Sequence, residues 1–250
     1  MKILVCISHV PDTTSKIQFD PDGSSLDKNG LQFVINPYDE FGLTKSLQLK
    51  EKHGGSVSVI TYGDASVEPT LRKALAIGAD EAHRIDGSPL DGIQTAEELS
   101  NFVVKNDFDL IICGQESIDY NGGIVPGALA AKLNLPFVNA CIGLEIEGSV
   151  AKTIREIDGG KETAKSNLPI VIGGKKGLVE ENELRIPNMR GIMTARSKPL
   201  NIHDKNEIEP ISNPIRGNVI ATDFVILGSS RNRTKNFCFG PKAKGTFIDC

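Results

Sequence analysis

The chain has 250 residues, 39% of them hydrophobic and 24% charged, with a formal net charge of −4. This size and composition allow a sizeable buried core, and the slightly acidic balance argues against a nucleic-acid partner. The apolar runs are far shorter than the roughly 18 residues of a membrane span, so we expect no membrane insertion.

Strand and helix patterns alternate along the first half of the chain. The apolar run at the start is followed at once by polar residues, which favours a first strand over a signal peptide and hence a cytoplasmic location. The predicted elements are strands at Lys2–Ser8, Ser56–Tyr62 and Asp109–Cys113 and helices at Asp39–His53, Glu68–Ile77, Ile93–Lys105 and Gly127–Leu133. We expect Gly78 to end the second helix, Thr95 or an earlier residue to cap the third, and Pro136 to end the fourth. The alternation predicts an α/β fold with a mostly parallel, Rossmann-like sheet and helices on both faces.

The second half of the chain has a different pattern. Phe137–Leu144 and Val150–Glu156 alternate polar and apolar residues, which predicts an antiparallel hairpin, and Leu168–Ile172 is predicted to form a short apolar strand. Residues 173–199 are basic and have the composition of a long loop, and residues 201–250 have that of an extended C-terminal arm. We therefore predict one α/β domain over residues 1–200, including this loop, and a poorly specified arm after it.

A glycine-rich segment, Gly114–Gly127, bridges the third predicted strand and the helix that follows it. At this place in an α/β protein, glycines let the backbone approach a phosphate, and free amides of the helix N-terminus point at the anion. The segment contains no lysine or arginine, so backbone and hydroxyl groups would hold the phosphate. This pattern favours binding a nucleotide over cleaving one.

The carboxyl ends of the predicted strands should meet at a crevice, the usual place of a cofactor in such sheets. The further candidates to line it are Cys6–His9, Asn36–Asp39 and Thr61–Gly63. Two alternatives stay open. Asn36 or Asp39 can simply cap the helix that follows, and Tyr62 can either stack on a base or pack under a loop.

No set of side chains for catalysis or metal binding stands out. The motifs GxxxxGK[ST] and GxSxG are absent, and no GxGxxG follows the first strand. The five cysteines are scattered and the four histidines lack ligand spacing. We therefore predict isolated reduced thiols, no metal and no catalytic residues.

Several strings, taken in order, resemble the β subunit of electron transfer flavoproteins. They are Asn36-Pro-Tyr-Asp-Glu40, Thr70-Leu-Arg-Lys-Ala-Leu-Ala-Ile-Gly-Ala-Asp80, Gly114-Gln-Glu-Ser-Ile-Asp119, Arg155-Glu-Ile-Asp-Gly-Gly-Lys-Glu162, Leu168-Pro169, and Arg185-Ile-Pro-Asn-Met-Arg-Gly-Ile-Met193 with Ala195-Arg196. Any one string is weak, but six in this order, over residues 1 to about 199, are specific.

The resemblance implies a nucleotide-binding domain that pairs with a homologous α subunit. The α subunit of this family holds the redox FAD, and the β subunit binds a structural AMP, or a second FAD in electron-bifurcating members. By resemblance, the nucleotide in this chain would be held by Cys6, Asn36, Pro37, Tyr38, Asp39, Tyr62, Asp119, Asn121, Gly122, Gly123, Ile124, Val125, Pro126, Gly127 and Ala128. The chain departs from both nucleotide-loop patterns of the family at Ile124-Val-Pro-Gly127, so AMP and a second FAD both stay open.

The same resemblance implies a carrier rather than an enzyme. The heterodimer would take electrons from acyl-CoA or related dehydrogenases, as in fatty acid oxidation, and pass them to a quinone oxidoreductase and the respiratory quinone pool. Thr13 would fall near the flavin of the α subunit, and Arg155 and Glu156 would meet that subunit close by.

In this family the basic loop is a recognition loop that anchors on dehydrogenases through one apolar side chain. The alignment places Met189 at the anchor, with Arg190, Ile192 and Met193 beside it. Methionine is flexible and polarizable, which suits a pocket shared by several partners. The alternative is that Met189 is a buried loop residue.

Two further points stay open at the level of the whole chain. Ser229–Cys250 lacks the periodicity of the amphipathic helix with which the family clasps its α subunit. The alternative function, from another class, is a standalone nucleotide-binding regulatory protein of the same fold.

Overall fold

A computed structural model describes residues 1–21 and 26–204 of the chain. The strands of this part are β1 (Lys2–Cys6), β2 (His9–Pro11), β3 (Phe33–Ile35), β4 (Ser56–Tyr62), β5 (Glu81–Asp86), β6 (Leu110–Gly114), β7 (Phe137–Glu147), β8 (Val150–Ile157), β9 (Gly160–Asn167), β10 (Ile170–Gly174) and β11 (Leu200–Asp204). The helices are α1 (Pro37–His53), α2 (Glu68–Ile77), α3 (Gly92–Val104), α4 (Val125–Leu133) and α5 (Met189–Ala195), with 3₁₀ turns at Ala65–Val67 and Glu181–Glu183. None of the helices in these two ranges is long and apolar enough to cross a membrane.

One large sheet organises the fold, in the strand order β11-β5-β4-β1-β6-β10-β7-β8-β9. The strands from β11 to β7 run parallel, whereas β8 and β9 extend the sheet antiparallel. From β1 the chain builds outward through β4 and β5 and then returns to place β6 on the other side of β1. This reversal makes the boundary between β1 and β6 the topological switch point, where α/β sheets open a crevice at their carboxyl ends.

Helices cover both faces of the sheet because successive side chains of a strand point to opposite sides. Ile3 and Val5 of β1 belong to the core that contains α1 and α2. Leu4 and Cys6 belong to the core that contains α3 and α4. The predicted fold class, a mostly parallel α/β sheet with helices on both faces, is confirmed.

Local chemistry sets the helix boundaries near the site. α2 has Pro69 in its first turn and ends where Gly78 takes a φ of 149°, as predicted. α3 follows Asp91, whose Oδ1 accepts a hydrogen bond of 2.7 Å from the Gln94 amide. The cap of α3 thus lies upstream of Thr95, within the prediction.

Several described elements are absent from the predicted set, namely β2, β3, β5, β9, β11 and α5. The predicted hairpin forms as β7 and β8, but β9 adds a third antiparallel strand. The segment 173–199 is not a plain loop, because contacts with α2 hold part of it as α5. β11 pairs with β5, so the domain boundary predicted at residue 200 falls inside a strand. Residues 205–250, with the predictions of an arm and of a missing clasp, lie outside the described residues.

Candidate functional site

The carboxyl ends of β1 and β6 meet at the N-terminus of α1, and the carboxyl group of Asp39 lies between them. Its Oδ2 accepts a hydrogen bond of 2.7 Å from the Ser8 amide, which follows β1. Its Oδ1 accepts one of 2.7 Å from the Gly114 amide, at the end of β6. Asp39 is only 2% exposed, and burial raises the pKa of its carboxyl group from 3.8 to about 7.

Asn36, the residue before α1, binds the glycine-rich loop that follows β6. Its Nδ2 donates to the Glu116 carbonyl at 2.9 Å, and its Oδ1 accepts from the Ile118 amide at 3.2 Å. The side chain makes no capping hydrogen bond to α1. The alternative that Asn36 or Asp39 simply caps this helix is therefore wrong, because both side chains are engaged by more distant backbone groups.

The loop between β6 and α4 has the open backbone that the glycine-rich sequence predicts. Asn121 and Gly123 take left-handed φ values of 50° and 58°. Within the described part of the chain, the amides of Gly122, Gly123 and Ile124 donate to no hydrogen bond. A Cβ added to Gly122 would meet no atom within 4 Å. An anion can therefore approach this backbone without a clash.

Helix α4 begins at the end of this loop, two residues earlier than predicted. Val125 is its first residue, Pro126 lies in its first turn, and the Ala128 amide closes the first hydrogen bond onto the Ile124 carbonyl at 2.9 Å. The helix ends at Asn134, which takes the left-handed conformation, before Pro136 is reached. The amide end of α4 points into the loop, as a phosphate site requires.

Tyr62 ends β4 and is buried. Its ring packs against Gly87, and its hydroxyl group lies 3.5 Å from the Ser88 carbonyl. The contact under a loop, one of the two predicted alternatives, is thus present, while stacking on a base stays a prediction.

Cys6 and Cys113 lie at the carboxyl ends of the neighbouring strands β1 and β6. They follow the paired residues Val5 and Ile112 in neighbouring parallel strands, and both are buried, free thiols. A hydrogen bond with Cys6, together with burial, raises the pKa of the Cys113 thiol. The prediction of isolated thiols is wrong for Cys6 and Cys113, because β1 and β6 bring them into contact.

Thr13 lines a cavity of about 260 Å³ next to the loop. The cavity is lined by Asp12, Thr13, Val34, Ile35, Pro37, Glu40, Lys73 and Ile118. Pro37 follows Asn36 in sequence, and the Ile118 amide donates a hydrogen bond to the Asn36 side chain. The cavity therefore adjoins the loop between β6 and α4. A larger cavity of about 500 Å³, lined by residues such as Met1, His53 and Asp109, contains none of the predicted site residues.

Arg155 and Glu156 lie near the end of β8, level with the carboxyl end of β10. Arg155 Nη2 is 3.0 Å from Glu162 Oε2 on β9. Glu156 pairs with Lys175, and this hydrogen bond lowers the pKa of the Glu156 carboxyl group. Lys175 was expected in the basic loop, but it directly follows β10, where its hydrogen bond with Glu156 raises the pKa of its ammonium group. The sequence indicates this location of Lys175 only through its position directly after the strand that ends at Gly173-Gly174.

The predicted recognition segment carries an apolar surface on α5. Met189 is 76% exposed and Met193 71%, and Ile192 is also exposed. Arg190 adds an exposed cation on the same short helix. The alternative that Met189 is buried is wrong, because α5 packs on α2 through Ala195 and Gly191 instead.

These features define a Rossmann-like α/β protein with an open, glycine-rich loop at the switch point of its sheet. A family model for the electron transfer flavoprotein domain matches residues 24–208. The electron transfer flavoprotein subunit beta of Bacillus subtilis (strain 168) is 36% identical over 204 residues, which cover 80% of this chain and 77% of that protein. The subunit beta of Thermoanaerobacterium thermosaccharolyticum is 35% identical over 201 residues (79% and 76%), and that of Mycobacterium tuberculosis (strain H37Rv) is 34% identical over 215 residues (82% and 80%). The chain belongs to the electron transfer flavoprotein family, among its beta subunits, which confirms the resemblance.

Proposed function

We propose that this chain is the β subunit of a heterodimeric electron carrier and binds a structural adenine nucleotide at the loop between β6 and α4. The α subunit would hold FAD, which supplies the electron-carrying chemistry when bound. The carrier would accept electrons from acyl-CoA or related dehydrogenases and deliver them to a quinone oxidoreductase. The observation that carries the proposal is the run of three backbone amides, at residues 122–124, that donate to no hydrogen bond among the described residues. They follow β6, at the topological switch point of the sheet, in a chain that belongs to this family.

The chemistry of the loop fits a nucleotide that is held and not cleaved. Its open backbone amides and the N-terminus of α4 can bind a phosphate group. Residues 114–127 contain no lysine or arginine to stabilise the charge that develops during phosphoryl transfer. AMP is the nucleotide we propose, and a second FAD is the alternative that the experiment below separates.

The exposed face of α5 suits docking to a dehydrogenase. Met189 and Met193 project apolar side chains from a helix that the rest of the chain holds in place. A central apolar side chain that fills a partner's pocket commonly dominates binding, and nearby cations such as Arg190 favour encounter with acidic partners.

Met189→Ala should lower the rate of dehydrogenase-driven flavin reduction by about tenfold at subsaturating carrier, since one buried anchor is lost. The measurement is stopped-flow reduction of the heterodimer by a reduced acyl-CoA dehydrogenase. Val104→Ala removes another largely exposed apolar side chain, from α3, and serves as the control. Equal rates for Met189→Ala and the native protein would remove Met189 from the docking site.

The proposal as a whole is tested by co-purifying the chain with its α subunit, denaturing the complex and identifying the released nucleotides by chromatography. One FAD and one AMP per heterodimer would support the proposed carrier. Two FADs would assign the chain to the bifurcating type. Failure to form a flavin complex would refute the proposal and favour a standalone nucleotide-binding protein.

A further inference from the structure

The open amides at residues 122–124 lie in a glycine-containing stretch, which is costly in conformational entropy to hold in one shape. Gly122 and Gly123 are adjacent, and glycine pays more conformational entropy on ordering than any other residue. No cationic side chain within residues 114–127 can hold an anion in place of an ordered backbone. Phosphate binding here therefore depends on whatever fixes the path of the loop.

Two side chains of the segment before and within α1 fix the first half of that path. The Asp39 carboxyl group accepts hydrogen bonds from the amides of Gly114 and Ser8, and so links the end of β6 to the segment that follows β1. Asn36 holds the Glu116 carbonyl and the Ile118 amide. Asn36 is 0% exposed, so water does not compete for these bonds.

The second half of the loop is fastened to the first. The Asn121 amide donates to the Ser117 carbonyl at 2.8 Å. Ser117 lies between the two residues that Asn36 holds, and Asn121 immediately precedes the open amides. A continuous set of hydrogen bonds thus runs from the start of α1 to the backbone that would meet a phosphate.

Gly114 shows how close the contact is. A Cβ at this position would overlap Oδ1 of Asp39 and lie 2.8 Å from the Cβ of Tyr38 and 3.0 Å from Nδ2 of Asn36. The backbone of β6 is therefore pressed against these side chains, which leaves no room for a ligand between them.

We infer that Asn36 and Asp39 are positioning residues, which form a clamp that sets the shape of the nucleotide loop and do not contact the nucleotide through their side chains. This inference rests on the proposed function, because it concerns the same loop. The family resemblance implies that both side chains hold the nucleotide. The inference gives them a different role, because their polar atoms already form hydrogen bonds with the backbone of the protein itself.

The test compares AMP with adenosine, because only AMP has the phosphate that the loop would hold. Affinities are measured by calorimetry on the heterodimer after its nucleotide has been removed. The pH is 6, where the Asp39 carboxyl group is mostly protonated, so that Asp39→Asn changes the charge of the site little. Asn36→Ala removes both bonds to the loop, and Asp39→Asn replaces one acceptor by a donor. Ser46→Ala is the matched control, since Ser46 is also buried in α1 but its hydroxyl group donates to the Gly42 carbonyl within the same helix.

Both clamp variants should bind AMP about 10- to 100-fold more weakly than the native complex and bind adenosine within about twofold of it. Ser46→Ala should bind both ligands as the native complex does. An equal loss for AMP and adenosine would point to a merely structural role, and unchanged AMP affinity would show that the clamp does not shape the loop. Either result overturns the inference. If the native complex binds neither ligand, the proposed nucleotide site itself is refuted.

Discussion

The carboxyl group of Asp39 is surrounded by backbone at the centre of the sheet's carboxyl edge. Two amides favour its ionised form, while removal from water favours the protonated form, and burial prevails in raising its pKa to about 7. If the loop binds a phosphate as proposed, a raised pKa weakens the repulsion between this carboxyl group and the anion, because the group is ionised for less of the time.

We expect the free energy of unfolding to fall as the pH rises from about 4 to about 7, by at most about 1.4 kcal/mol per pH unit from this residue. The unfolded chain releases the Asp39 proton near pH 3.8, whereas the folded chain keeps it to about pH 7, so the stabilisation is complete at low pH and lost as the pH passes 7. Urea unfolding at half-unit steps between pH 5 and pH 8 measures the slope. Asp39→Asn should lack this contribution, and parallel profiles for the two proteins would contradict the assignment.

At the scale of elements, α5 is held by groups outside its own sequence. Arg72 of α2 donates to the carbonyls of Ala195 and Lys198 at 2.8 and 2.9 Å. Lys198 in turn donates to the Leu75 carbonyl, at the end of α2, at 3.0 Å. Without these bonds a seven-residue helix with an internal glycine would be marginal in water.

Arg72→Met should therefore expose α5 to proteolysis. We expect trypsin to cleave at Arg190 and Arg196 about ten times faster, because charge-assisted hydrogen bonds to two carbonyls are lost and local opening becomes more frequent. Limited digestion followed by mass spectrometry measures the two cleavages. Lys73→Met, at the next position of α2, removes a cation that pairs with Glu40 instead and should leave them unchanged. Similar acceleration in both variants would mean that α5 is not held by Arg72.

The same elements show what the sequence can and cannot predict. β4 and α2 were predicted to the residue because β4 is rich in β-branched residues and α2 is amphipathic with a glycine at its end. β5 escaped prediction because it contains Glu81, His83 and Arg84. Arg84 is buried beside Glu68, an ion pair that hydropathy does not reveal. β9 is polar apart from Gly160 and Ala164, and its pairing with β8 makes it a strand.

The candidate site divides in the same way. The open backbone of the loop between β6 and α4 follows from local sequence, since the glycines after the apolar strand are visible there. The clamp does not, because Asn36 meets Glu116 and Ile118 only after the sheet has brought distant segments together. Asparagine and aspartate are suited both to capping a helix and to holding a distant loop, so the sequence alone does not decide between the two roles.

At the scale of the whole molecule, the sheet has two free edges among the described residues, β11 and β9. β9 presents exposed lysines at positions 161 and 165. Charged side chains, lysine above all, protect an edge strand from pairing with another copy.

Replacing Lys161 and Lys165 by valine should make the chain self-associate, since an edge without its two lysines and with higher strand propensity is left. Analytical ultracentrifugation should show a mass that rises with concentration. Lys176→Val, which removes a cation from an exposed turn, should remain unchanged in mass. A monomeric double variant would show that some other feature protects this edge.

The pairing of β11 with β5 also bears on how the chain is made. β5 ends at Asp86, yet the strand that covers its edge begins at Leu200. At a synthesis rate of roughly 5–20 residues per second, the ribosome needs on the order of ten seconds to cover that interval. During this time a nascent chain that has already paired β1, β4 and β5 presents an uncovered backbone edge. A stall in translation before codon 200 would leave this edge available to chaperones or to neighbouring polysomal chains.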